Sequence, residues 1–209
     1  MKNKSIKFRK KTISSLITLI LINMLIALPA MTQDKLDLNI ASNTDMTFDG
    51  TSNVHDWSCE VTEIKGKGAF ARALLNGSEY PNNAIQNVKI SIPVKSIKSG
   101  KGKMNDIMYD ALKEEEYPNI EYELISSEII GQTGDEFTVQ TSGNLTIAGV
   151  TREISLQVEG KKINEEAVKF TGAKNLKMTQ FNIEPPKALF GAIRSGDQVD
   201  VQFTAVFEE

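Results

Sequence analysis

The sequence predicts an all-β chain: a closed antiparallel barrel of about eight strands with one short amphipathic helix beside it. Three observations carry this. Apolar and polar residues alternate with period two over many short runs, turn-forming residues separate those runs, and only one stretch changes to helical spacing. Leu36, Leu38 and Ile40 alternate with Asp37 and Asn39, and Val88, Ile90, Ile92 and Val94 alternate with Lys89, Ser91 and Pro93. Phe137 and Val139, Leu145 and Ile147, Ile154 to Val158, and Val199 to Phe203 repeat the arrangement. Turns are expected at Asn76-Gly77, Gly131 to Gly134, Ala148-Gly149, Gly160 and Ser195-Gly196-Asp197. Many strands with short gaps fit an antiparallel meander better than a βαβ plan. A sheet of that size closes on itself to remove its edges, and its interior then holds either packed core or one small ligand. The alternation does not choose between these.

The helical segment is set by Met104, Ile107, Met108, Ala111 and Leu112, with Asn105, Asp106, Asp110 and Lys113 on the other face and Tyr117-Pro118 as the stop. Its apolar stripe is expected to cover the end or flank of the barrel.

The first 32 residues stand apart from the fold. Lys2, Lys4, Lys7, Arg9, Lys10 and Lys11 precede an uncharged stretch rich in Leu and Ile that ends at Ala30-Met31-Thr32, the layout of a cleavable secretory leader. Residues 33–209 are then the barrel domain, and the mature protein is expected in the periplasm or outside the cell. Loss of the leader removes six of the 24 basic residues and leaves 18 against 27 acidic ones, a net charge near −9. Such a surface repels nucleic acid. A single cysteine supplies no internal disulfide framework, and the remaining chain is long enough to bury a core without one.

The chain's only histidine, tryptophan and cysteine fall within five residues, at His55, Trp57 and Cys59. In an extended segment His55 and Cys59 are about 13 Å apart, too far for a thiol–imidazole pair. A metal site needs several converging ligands, and there is no second histidine. His55 is therefore expected to fix a loop by hydrogen bonding or to meet a ligand headgroup at the barrel mouth, with Trp57 packed against the barrel end. No nucleophile elbow, phosphate-binding glycine loop or HExxH helix is present, and Glu114-Glu115-Glu116 reads as a solvated helix end. A non-enzymatic protein without cofactor or metal is expected.

The run EEYPNIEYEL at Glu115–Leu124, followed by SGNLTIAGVTREISLQVEG at Ser142–Gly160, resembles the YceI-like family of exported lipid-binding proteins. GTSNVHDW, SGKGKMNDIMYDAL and KMTQFNIEPPKALFGAIRSGDQV resemble a subgroup common in Bacteroidota-type bacteria. The resemblance implies a lipocalin-like extended barrel whose apolar pore holds a polyisoprenoid, such as a quinone tail or a prenyl carrier. Two motifs of the better-characterised branch are absent. The first strand reads LDLNIAS in place of a His-Ser pair, and Met104-Asn105-Asp106 stands near its arginine-aspartate step, so no binding residue is transferred there.

A prenyl chain needs a dry apolar tunnel, since each buried CH₂ contributes about 0.8 kcal/mol. Met104, Met108 and Leu112 are the first candidates for its wall or lid, because methionine adapts to a flexible ligand. Phe181, Leu189, Phe190 and Ile193, around the Pro185-Pro186 turn, are the second group, and His55 and Trp57 complete the set. The expected partner is a long-chain isoprenoid or similar lipid, exchanged in transient contact with a membrane by a monomer or homodimer. The competing reading is a packed barrel that serves as an envelope-stress or interaction scaffold with no physiological lipid.

Overall fold

The computed structural model describes residues 34–77 and 79–209; the expected leader lies outside the described residues. The alternation in the sequence becomes a pleat with one face inward. Along Glu136–Ile147, Phe137, Val139, Thr141, Gly143 and Leu145 are buried while the residues between them are not. Twelve strands result: β1 Lys35–Ile40, β2 Asp45–Ser52, β3 Trp57–Val61, β4 Lys65–Ala71, β5 Ile85–Pro93, β6 Ile97–Lys98, β7 Asn119–Thr133, β8 Glu136–Ile147, β9 Val150–Asn164, β10 Ala167–Lys177, β11 Lys187–Ala188 and β12 Ile193–Glu208.

Six of these pair end to end into three long strands. β1 and β2 both lie antiparallel along β12, with Ile40 opposite Phe207 and Asp45 opposite Thr204. β4 pairs β1 and β3 pairs β2; β5 pairs β4 and β6 pairs β3. The ring continues through β7, β8, β9 and β10 back to β12, which closes an eight-stranded antiparallel barrel. The breaks at 41–44, 62–64 and 94–96 fall side by side. Backbone groups there are satisfied locally, with Thr62 N–H and Oγ1 both donating to the Ser96 carbonyl and the single Ser96 hydroxyl proton shared between the carbonyls of Pro93 and Glu63, at 2.7 and 3.0 Å.

The tight hairpins turn at Gly134-Asp135, Ala148-Gly149 and Glu165-Glu166. Ala148 and Gly149 both take positive φ, 49° and 77°, as a two-residue hairpin of matching twist requires. Two expected turns are corrected. Gly160 lies inside β9, where a Cβ would stand 2.3 Å from the Phe137 ring: the glycine makes room for an aromatic neighbour. Ser195-Gly196-Asp197 is an irregularity within β12, where the register against β2 shifts between Ser195 and Val199.

Among the described residues two α-helices accompany the barrel. α1, Arg72–Asn76, is too short to show a helical period in sequence; it ends on Gly77 at φ 71° and buries Leu74 and Leu75. α2, Gly102–Ala111, is the expected amphipathic helix: Met104, Ile107, Met108 and Leu112 are half-buried, and Asp106 and Asp110 are exposed. Each helix serves a different core. Leu74 and Leu75 join Phe70, Phe137, Phe170 and Phe207, while Met104, Met108, Tyr109 and Leu112 pack on Cys59, Ile92, Ile97 and Phe181.

Candidate binding cavity

Between these two cores the inward faces do not meet, and a cavity of about 170 Å³ remains. Of its 26 lining residues 22 are apolar, among them Ile90 of β5, Leu124 of β7, Leu156 of β9 and Phe203 of β12. Thr44, Tyr122, Thr141 and Lys174 are the others. Tyr122 lies across the Cα of Gly143, where a Cβ would meet its ring at 2.4 Å, so this glycine lets the ring lie flat in the wall. Burial pushes the Tyr122 phenol above its ordinary pKa, and a hydrogen bond with Thr141 pulls part of the way back. Thr141 Oγ1 also donates to the Leu156 carbonyl at 3.1 Å. Apart from Lys174 the wall is neutral, and this suits an apolar guest.

The wall is incomplete at two seams. The β9–β10 ladder runs from Asn164–Ala167 to Val158–Gly172 and stops, although β9 continues to Val150 along β8 and β10 continues to Lys177 along β12. Across this gap Lys174 Nζ donates to the Ser155 carbonyl at 2.8 Å and Arg152 Nε to the Gln180 carbonyl at 2.9 Å. The cavity lies directly behind, lined by Ile154 and Leu156 on one side and Lys174 and Leu176 on the other. The second seam lies between the start of β5 and β7, whose ladder covers only Lys89–Pro93. There Ser127 Oγ donates to the Ile85 carbonyl, and the segment before β5 lies over the gap. Ala84 of that segment is buried, and Tyr80 is packed on Phe137 with its hydroxyl donating to the Gly134 carbonyl.

None of the nine residues singled out from sequence lines this cavity. Met104, Met108 and Leu112 pack on the core beneath α2, and Phe181 is fully buried within that core. Leu189 and Phe190 are exposed at a loop tip, both at positive φ, and Ile193 begins β12 half-buried. The segment around His55 is not extended throughout: 53–56 form the loop between β2 and β3. His55 is exposed there, its Nδ1 2.9 Å from the Asp56 carbonyl, while its own carbonyl accepts from Ser52 N–H and Oγ. Trp57 lies over Gly50 and its Nε1 donates to the Thr51 carbonyl and Ser195 Oγ, tying β3 to β2 and β12.

Cys59 points away from His55 into the core, with its thiol 3.9 Å from the Met108 sulfur. Its pKa is pushed up to about 11 by burial and, less, by Asp49. Among the described residues no group of three or more His, Cys, Asp or Glu side chains converges as a metal site would need.

The lining that sequence reasoning missed was present as the alternating residues themselves, read as plain core. Lys174 shares parity with Phe170 and Leu176 on β10, which is the signal that could have placed it inward.

A closed eight-stranded meander around an apolar cavity defines a small lipocalin-like barrel. The comparisons narrow this class: residues 40–207 match the YceI-like domain, and the chain belongs to that family. Similar folds include a polyisoprenoid binding domain from Saccharophagus degradans implicated in plant cell wall breakdown, with 14% identity and a TM-score of 0.65, covering 84% of this chain and 99% of that one. Burkholderia cenocepacia BcnA is 17% identical with a TM-score of 0.63, covering 78% and 95%. The Campylobacter jejuni YceI protein is 16% identical with a TM-score of 0.55, covering 72% and 84%. Among curated proteins no significant match is found.

Proposed function

We propose that the protein is an exported, non-enzymatic carrier or sequestering protein that takes the chain of an isoprenoid or comparable long apolar lipid into its barrel. The observation that carries this is the cavity, walled by strands and lined almost wholly by aliphatic and aromatic side chains. The family and the polyisoprenoid binding relative support the ligand class. Export, to the periplasm or beyond, rests on the leader-like segment at 1–32. Transient membrane contact belongs to the same proposal, with Leu189 and Phe190 as an exposed apolar tip.

Size sets the condition for binding. A cavity near 150 Å³ is known to take up a benzene-sized guest, so about 170 Å³ holds a fragment of that order rather than a long chain. A longer tail enters only as the wall widens. The β9–β10 seam permits this at small cost, because no ladder hydrogen bonds between those strands have to break there.

The small volume also favours a second reading, a packed scaffold with no lipid. Titration with prenyl alcohols of increasing length separates the two. Affinity should climb with each added unit, at most by about 0.8 kcal/mol per CH₂ less the cost of ordering the chain, then level off. Ala205, buried on the lining, is the place to block it: Ala205→Trp should abolish the dependence. Affinity that ignores length, or survives that block, favours the scaffold.

A further inference from the structure

We infer that the gap between β9 and β10 is a headgroup site for an acidic single-chain amphiphile, with the Lys174 ammonium holding the anionic group. The inference rests on the lipid-binding reading and adds the headgroup class. Lys174 is the one charged residue among those lining the cavity, and it is placed inward by its position on β10 between Phe170 and Leu176. Among the described residues its hydrogen-bond partner is the Ser155 carbonyl, a group at the edge of β9 where the ladder to β10 has ended. No carboxylate of the described residues lies within ion-pair distance of Lys174, so its charge is not paired within the barrel wall.

A neutral guest makes no use of this cation, whose bond to Ser155 is solvent-exposed. An amphiphile with a phosphate or carboxylate head does: its tail occupies the apolar interior and its head, at the solvent-facing gap, accepts from the Lys174 ammonium in charge-assisted bonds. Geometry limits where such a head can sit. At one end of the barrel α1 buries Leu74 and Leu75 among the phenylalanines, at the other α2 packs on the second core, and the β5–β7 seam is covered by the segment that carries Tyr80 and Ala84. At the β9–β10 gap, by contrast, two cationic side chains, Lys174 and Arg152, reach across to lone carbonyls.

The test compares a prenyl phosphate with the prenyl alcohol of equal length on the full-length mature protein, its Lys174→Met variant, which keeps an unbranched apolar side chain, and Lys174→Arg, which keeps the charge. Wild type should prefer the phosphate by roughly tenfold or more. Lys174→Met should lose that preference, read as the ratio of the two affinities within the variant, and Lys174→Arg should retain it. Equal affinities in wild type, or a preference that persists in Lys174→Met, overturn the inference while leaving the carrier reading in place. Inorganic phosphate that competes as well as prenyl phosphate would mean a bare anion site and also overturns it. Failure of the alcohol and the phosphate alike to bind wild type removes the carrier reading itself and the inference with it.

Discussion

The two ends of the barrel are closed by different chemistry. At the α1 end Phe70, Phe137, Phe170 and Phe207 pack ring against ring, with centroids 5.2 to 6.0 Å apart, and Leu74 and Leu75 are fully buried against them. At the α2 end the covering helix buries no residue fully; Met104, Met108, Tyr109 and Leu112 are its half-buried contacts, with the Met108 sulfur against the Cys59 thiol. Rigid aromatic packing fixes shape, whereas half-buried, flexible side chains yield at little cost. The first end is a plug that holds the fold and the second a cover.

The largest test of this contrast is Phe70→Ala. Deleting a fully buried ring should lower stability by about 3–5 kcal/mol in chemical denaturation, and a shift below 1 kcal/mol would break the claim that this end anchors the barrel. Next comes pH. The Cys59 thiol ionises near pH 9 once unfolded and near pH 11 when folded, so between those values the thiolate stabilises the unfolded chain alone. The stability that Cys59 contributes is complete below pH 9 and lost as the pH rises to 11, on the order of 2–3 kcal/mol. Urea midpoints across that range should fall further for wild type than for Cys59→Ala; parallel curves would mean that the cover admits water to the thiol. Met108→Ala should cost about 1–2 kcal/mol, well under the Phe70 loss, because its side chain is only half-buried; equal losses would erase the distinction between plug and cover. The smallest effect belongs to His55→Ala. An exposed loop residue with one local contact to Asp56 should shift stability by less than about 0.5 kcal/mol.

Period-two alternation made the barrel legible because a closed sheet has one inside, and every strand must obey it. What alternation could not show was how short runs join. β1 with β2, β3 with β4 and β5 with β6 become continuous only through neighbours distant in sequence. The Glu165-Glu166 turn carries no glycine or proline and gave no signal, while Gly160 gave a false one because its role is to clear space for Phe137. The cavity was hidden for a related reason. Ile90, Leu156 and Phe203 look the same in sequence whether they touch across the interior or stand apart, and only the spacing of the two cores decides. Methionines at helical spacing drew attention to α2, which covers the second core and does not reach the cavity lining.

The ring closes where β1 and β2 meet β12, so residues 39 and 208 are hydrogen-bonded neighbours. A chain delivered from its amino terminus therefore shows an unpaired strand edge until its last sixteen-residue strand arrives. Contacts of such long sequence separation also make for slow folding. During that interval the edge is open to pairing with other chains. Whatever moves or shelters this polypeptide during its synthesis has to guard that edge until Ile193–Glu208 is available to cover it.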